Sequence, residues 1–176
     1  GDDVINDFDR TVIGNPQPDF IFGFNNQFGY KNFDLSIFFQ GSYGNDIWNG
    51  VRVSHEGMES TYNQFTSTLN RWNGEGSSNT MPRAIYADPN RNNRASTRWV
   101  EDGSYLRLKN LTFGYRFTQD WLKKIGAKSL RLYLSFDNLW TLTNYSGLDP
   151  EVGLWGLDYG IYPTSRVYMF GASVKF

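Results

Sequence analysis

The sequence has no cysteine and a single histidine, His55, so it offers neither a disulfide framework nor a thiolate or histidine-rich metal site. Its charges nearly cancel, with 17 Lys and Arg against 18 Asp and Glu. That removes the broad positive field by which a chain attracts nucleic acid. No apolar run approaches the ~18 residues of a membrane helix. The opening GDDVINDFDR lacks the basic start and apolar stretch of a secretory signal. A polar, unpatterned start of this kind is expected of an internal or C-terminal piece of a longer protein. GxSxG, HExxH and GxGxxG are also missing, so neither an enzyme nor a cofactor is expected.

What is abundant is rings. Phe, Tyr and Trp make up 18% of the chain, against 39% for all hydrophobic types together. A soluble core leans on Leu, Ile and Val instead, so this composition points to amphipathic rings held at a surface. The rings follow a period of two. In 19–30, DFIFGFNNQFGY, Phe20, Phe22, Phe24, Phe28 and Tyr30 share one side, and Asn25 and Gln27 lie on the other. The same alternation runs through 33–44, 104–117, 129–143 and 165–176. These five segments predict strands of ten to fifteen residues, whereas about nine to eleven tilted residues cross a bilayer. Their connections alternate short and long, the long ones being 45–103 and 144–164, with a helix expected within 54–70 and a single helical turn in TQDWLKKIGAK. The expected fold is all-β: an antiparallel, up-and-down transmembrane β-barrel segment with short periplasmic turns and long extracellular loops.

Charge placement agrees. Asp34, Arg116, Arg131, Asp137 and Lys175 fall on the polar side of their strands, where no hydrocarbon is met. Arg107, Lys109 and Arg166 fall out of phase, at the strand ends nearest the long loops. The alternation also allows a soluble or surface-attached β-sandwich that binds glycans through loop tryptophans. The chain stops on Phe176, with Tyr168, Phe170 and Val174 preceding it on the apolar side of the final strand. A barrel strand ending at the periplasmic rim has no need to continue. These four residues resemble the signal that barrel assembly machinery reads.

Four blocks carry a family resemblance: GNPQPDFIFGFNNQFGYKNFDLSIFFQGSYGNDIWN, RWVEDGSYLRLKNLTFGYRF, LRLYLSFDNLWTLTNYSGLDPEV and GIYPTSRVYMFGASVKF. In order and spacing they resemble the C-terminal end of the SusC/RagA family, the TonB-linked outer-membrane transporters of Bacteroidetes. The resemblance implies a 22-stranded barrel with an N-terminal plug, of which this chain supplies the last five strands. It implies a SusD-like surface lipoprotein as lid, and import of oligosaccharides or peptides driven by TonB–ExbB–ExbD through the missing N-terminal part. The expected surroundings are outer-membrane lipid, the protein's own plug and its remaining strands. No nucleic acid partner is expected. A gated porin without energy coupling is the other barrel reading.

Candidate sites follow from this placement. Trp48, Trp72, Trp99 and Trp155 lie in or beside the long loops, as contacts for the lid protein or substrate or as packing within the loops. Asn25, Gln27, Asp34, Gln40, Arg131 and Asp137 are expected to line the lumen, with Phe38, Tyr133 and Met169 on that face suited to packing against a plug. Trp121 is expected to anchor the inner interface. Asp149 and Glu151 in LDPEV suit a loop-shaping Asp-Pro better than an acid–base pair. DPNRNN, 88–93, offers oxygen ligands without the spacing of a calcium loop, which favours a plain turn.

Overall fold

The computed structural model describes residues 5–176. Its strands in chain order are β1 (Phe20–Tyr30), β2 (Phe33–Tyr43), β3 (Asp46–Asn49), β4 (Val100–Asp102), β5 (Tyr105–Phe117), β6 (Ser129–Thr143), β7 (Leu157–Asp158) and β8 (Val167–Lys175). One short α-helix, α1 (Gly50–Glu56), and a few 3-10 turns complete it. The chain divides into two compact units. One holds residues 18–44, 104–144 and 162–176; the other holds the N-terminal stretch, 45–103 and 145–161.

The first unit is a five-stranded antiparallel sheet in the order β1-β2-β5-β6-β8. Its strands run 11, 11, 13, 15 and 9 residues, against about five or six in an ordinary strand. Ser42 stands opposite Tyr105, and Tyr105 opposite Thr143, so both long excursions leave and rejoin the sheet at one rim. At the other rim Lys31 turns β1 into β2 with φ of 52°. There a 3-10 turn, Asp120–Ile125, links β5 to β6. Gly126 closes that turn with φ of 75°, a left-handed position that glycine fills without strain, and returns its N–H to the Leu122 and Lys123 carbonyls.

Register gathers the rings into rows. Phe24 pairs with Phe39, Phe28 with Leu35, Leu35 with Phe113, Phe113 with Leu134 and Leu134 with Phe170. Edge and stacked contacts knit the row ends, with Phe33 4.6 Å from Tyr115 and Phe136 5.8 Å from Tyr168. This face is open: Phe24 is 60% exposed and Phe170 71%. A sandwich would have sealed these rows against a second sheet, and among the described residues no layer covers them.

One expectation about facing is corrected. Strict alternation puts Arg107 and Lys109 on the apolar side, but β5 carries a bulge there. Phe38 pairs with Asn110 while its neighbour Phe39 pairs with Leu108, which leaves Lys109 outside the ladder. The extra residue reverses the phase. Leu106 and Leu108 therefore join the apolar rows, and Arg107 turns to the polar side, where it is buried at 2% exposure. Its Nε donates to Thr141 Oγ1 at 3.0 Å and its Nη1 to Thr164 Oγ1 at 3.2 Å.

The second unit is built differently. Short β3 pairs antiparallel with β4 and parallel with β7. The helix expected within 54–70 lies earlier, at α1, because Asn49 caps it by accepting the Arg52 N–H; 66–70 forms only a 3-10 turn. Ile47 and Trp99 are fully buried, with Met58 and Tyr145 close to it.

Candidate functional site

Two surfaces bring the chemistry-bearing residues together, and each lies within one unit. The first is the polar face of the five-stranded sheet. Alternation places Asp34, Gly114 and Tyr133 in one row, and Arg131 beside it on β6. Arg131 Nε donates to Asp34 Oδ1 at 2.9 Å and Nη2 donates to Oδ2, a bidentate pair that reaches from β6 to β2 across β5. Gly114 makes that reach possible: a Cβ there would sit 2.6 Å from Asp34 Oδ2 and 2.7 Å from Arg131 Nη2. Lower on the same face Asn110 Nδ2 donates to Asp137 Oδ1 at 2.7 Å and to Ser135 Oγ at 3.2 Å. Thr112 Oγ1 lies 2.7 Å from Ser135 Oγ. Bulky groups lie flat over glycines: a Cβ on Gly171 would strike the Tyr133 ring, and one on Gly23 would press on Phe38. The result is a low, hydrogen-bonded wall.

Of the six residues expected to line a lumen, Asp34, Arg131 and Asp137 enter this network. Gln40 is half-buried in β2, and Asn25 and Gln27 stand exposed on β1. Asn110, Thr112 and Ser135 fall on the polar side by alternation and join the same wall although they were not among the six, and Arg107 joins it only through the bulge.

The second surface is the loop unit, organised by buried charge. Arg52 Nη2 and Nε bond Glu56 Oε2 at 2.9 and 3.1 Å, and Nη1 bonds Glu101 Oε1 at 2.9 Å. Glu101 also accepts from the Ser146 N–H at 2.8 Å, the Ser146 hydroxyl at 2.9 Å and Asn49 Nδ2 at 3.1 Å. Burial pushes the Glu101 carboxyl up, but these donors outweigh it and hold it below its ordinary value. Burial lowers Arg52 in turn, and its two carboxylates more than restore it. Tyr145 donates its hydroxyl to Asp158 Oδ2 at 2.7 Å, so burial and that carboxylate push the phenol far up.

The tryptophans separate by exposure. Trp155 is 81% exposed, and Trp72 is partly exposed with the Arg83 guanidinium 5.9 Å from its ring centre. Trp48 is half-buried in β3. Trp99 is sealed, with the Arg98 guanidinium 4.4 Å away and that of Arg52 5.7 Å away, and it leaves the set of residues able to touch a partner. Its role is to fill the loop core.

Other expectations meet simple structural answers. Asp149 Oδ1 accepts the Glu151 N–H at 2.9 Å, the turn expected of an Asp-Pro. Asp88 spends its carboxylate on Asn92 Nδ2 and the Asn93 N–H, at 2.9 and 2.8 Å. Among the described residues no group of three acidic, His or Cys side chains is placed to hold a metal. Tyr168, Phe170 and Val174 lie on the apolar face of β8, and Phe176 follows the strand with 74% exposure. Trp121 is exposed in the 3-10 turn, beside the buried Leu122.

No family model matches the chain. It is 40% identical over its whole length to TonB-dependent receptor P3 of Formosa agariphila and 33% identical to TonB-dependent receptor P26 of the same organism. It is 28% identical to TonB-dependent receptor SusC of Bacteroides thetaiotaomicron. The chain spans 18%, 19% and 17% of those relatives. Among solved structures, the RagAB peptide importer in its closed-closed state matches 94% of this chain and 18% of that one, with a TM-score of 0.81 and 27% identity. Its open-open state matches 91% and 17%, with a TM-score of 0.75 and 26% identity.

Proposed function

From the premise that the chain belongs to the SusC/RagA family of TonB-linked outer-membrane proteins, we propose that it forms the C-terminal strands of an importer's β-barrel. The observation that carries this is the open apolar face. Rows of Phe, Leu and Tyr stand uncovered on five strands long enough to cross a bilayer, while the opposite face is knit by hydrogen bonds. In water such a face is a liability; in a membrane it is the wall that meets hydrocarbon. β1 and β8 are the sheet edges, and the remaining barrel strands of the whole protein pair with them.

The polar wall, with Asn25, Gln27, Asp34, Gln40, Arg131 and Asp137, faces the lumen and its plug. The excursions 45–103 and 144–164 leave the rim that lies outside the cell. Trp48, Trp72 and Trp155 are there as contacts for substrate or for a SusD-like lipoprotein. Tyr168, Phe170, Val174 and Phe176 serve as the assembly signal. The cargo is an oligosaccharide or peptide, and the energy comes through TonB.

The experiment is uptake by the full-length protein in cells with and without TonB, alongside pull-down of a surface lipoprotein. Accumulation that disappears without TonB, together with a co-purifying lipoprotein, is the expected result. Accumulation that persists without TonB would mean a gated porin.

A further inference from the structure

Residues 72–83 fold into a closed loop of their own. The Trp72 N–H bonds the Met81 carbonyl at 3.1 Å, and Ser77 Oγ accepts the Asn73 N–H at 2.9 Å. Between this loop, Asn92 and Arg98 lies an open hollow of about 390 Å³. That volume falls within the range of small-molecule sites, about 300–1,000 Å³. Two arginines line it, Arg83 and Arg98, and no acidic residue does. Among the described residues neither arginine forms an ion pair. The Arg83 guanidinium lies over the Trp72 ring, 5.9 Å from its centre. Arg98 lies against Trp99, and its Nη2 is buried without a hydrogen-bond partner. Burial disfavours the Arg98 charge, the carboxylates of Glu56 and Asp88 offset only part of that cost, and an anion in the hollow would offset more.

We propose that this hollow binds an acidic saccharide, a sugar bearing a carboxylate. Arg83 and Arg98 hold the carboxylate, Trp72 supplies the flat apolar surface for the ring, and the Asn79 amide and Thr80 hydroxyl at the rim meet its hydroxyls. A peptide of acidic residues shares the carboxylate but not the fit to an indole bordered by amides and hydroxyls. The inference deepens the importer reading by naming a cargo class, and it rests on that reading for its biological meaning.

The test is calorimetric titration of the purified full-length protein in detergent with trigalacturonate, maltotriose and triglutamate. Trigalacturonate is expected to bind, with affinity falling as salt rises, and the neutral and peptide probes are expected not to. Arg83→Gln and Arg98→Gln should each weaken trigalacturonate binding about 10- to 100-fold, the scale of a lost charge-assisted hydrogen bond. Arg83 is exposed, so its substitution tests the site even if Arg98→Gln loosens the loop. Failure of trigalacturonate to bind, or binding unchanged in both variants, overturns the proposal. Equal binding of triglutamate overturns the saccharide assignment. Because this titration needs neither TonB nor a membrane, its failure is distinct from failure of the uptake experiment.

Discussion

The two units differ in where their buried and paired groups lie. In the five-stranded unit Phe24, Phe28 and Phe170 stand open, and the charged residues Asp34 and Arg131 find each other on the other face. In the loop unit Trp99 and Ile47 are sealed inside. There Arg52, Glu56 and Glu101 form their own network of ion pairs. On the importer reading the difference follows the surroundings: the sheet turns whole rows of rings toward hydrocarbon, whereas the loop unit seals Trp99 in its core and leaves Trp155 and other rings singly exposed.

Truncation should separate the units most sharply. Trp99→Ala removes a fully enclosed ring, at a cost of about 3–5 kcal/mol, and limited proteolysis should show the loop unit opened. Phe24→Ala, on the open face, should leave protease resistance near that of the parent. Reversing the chemistry gives the next largest effect. Phe24→Arg puts a cation in hydrocarbon and should cost about 2–4 kcal/mol in folding titrations from lipid. Asn25→Arg, one residue along on the polar face, should cost far less. Gly114→Leu probes the polar wall alone. It wedges Asp34 from Arg131 and should lower stability by about 1–3 kcal/mol, while Gly29→Leu, where a Cβ meets nothing within 4 Å, should not.

The smallest effect concerns pH. The Glu101 carboxyl lies below its ordinary value of 4.5, so its contribution to the loop unit is whole above that pH. It is lost as pH falls through the lowered value. Loop-unit melting followed by Trp fluorescence should therefore fall on acidification below 4.5, and Glu101→Gln should flatten that dependence.

The five strands were legible because a half-solvated strand writes its two environments into alternate positions. Even the bulge leaves a trace in SYLRLKNLTFGYRF, where leucines fall on 106 and 108 and then on 111, with Phe at 113. Strict alternation reads this as misplaced cations, whereas a shift of phase at Lys109 accounts for every residue. The Asp34–Arg131 pair was not legible as a pair. It depends on a register across three strands and on the absence of a side chain at Gly114, neither of which has a local signature. The loop unit was the least readable. Its core brings together Ile47 on the four-residue β3 with Met58, Trp99 and Tyr145, which lie outside the strands and far apart in sequence. Nothing in the pattern distinguishes the sealed Trp99 from the open Trp155.

The central claim is that the ring-bearing face meets lipid. These 176 residues hold no cysteine, so once any cysteine elsewhere in the full-length protein is replaced, spin labels can be attached singly at Phe24, Phe113 and Phe170, and at Asn25, Thr112 and Ser173, in that protein reconstituted in liposomes. The first set should be relaxed by oxygen and shielded from a water-soluble nickel chelate, with the second set shielded from oxygen. Equal access of the nickel chelate to both sets would contradict the account.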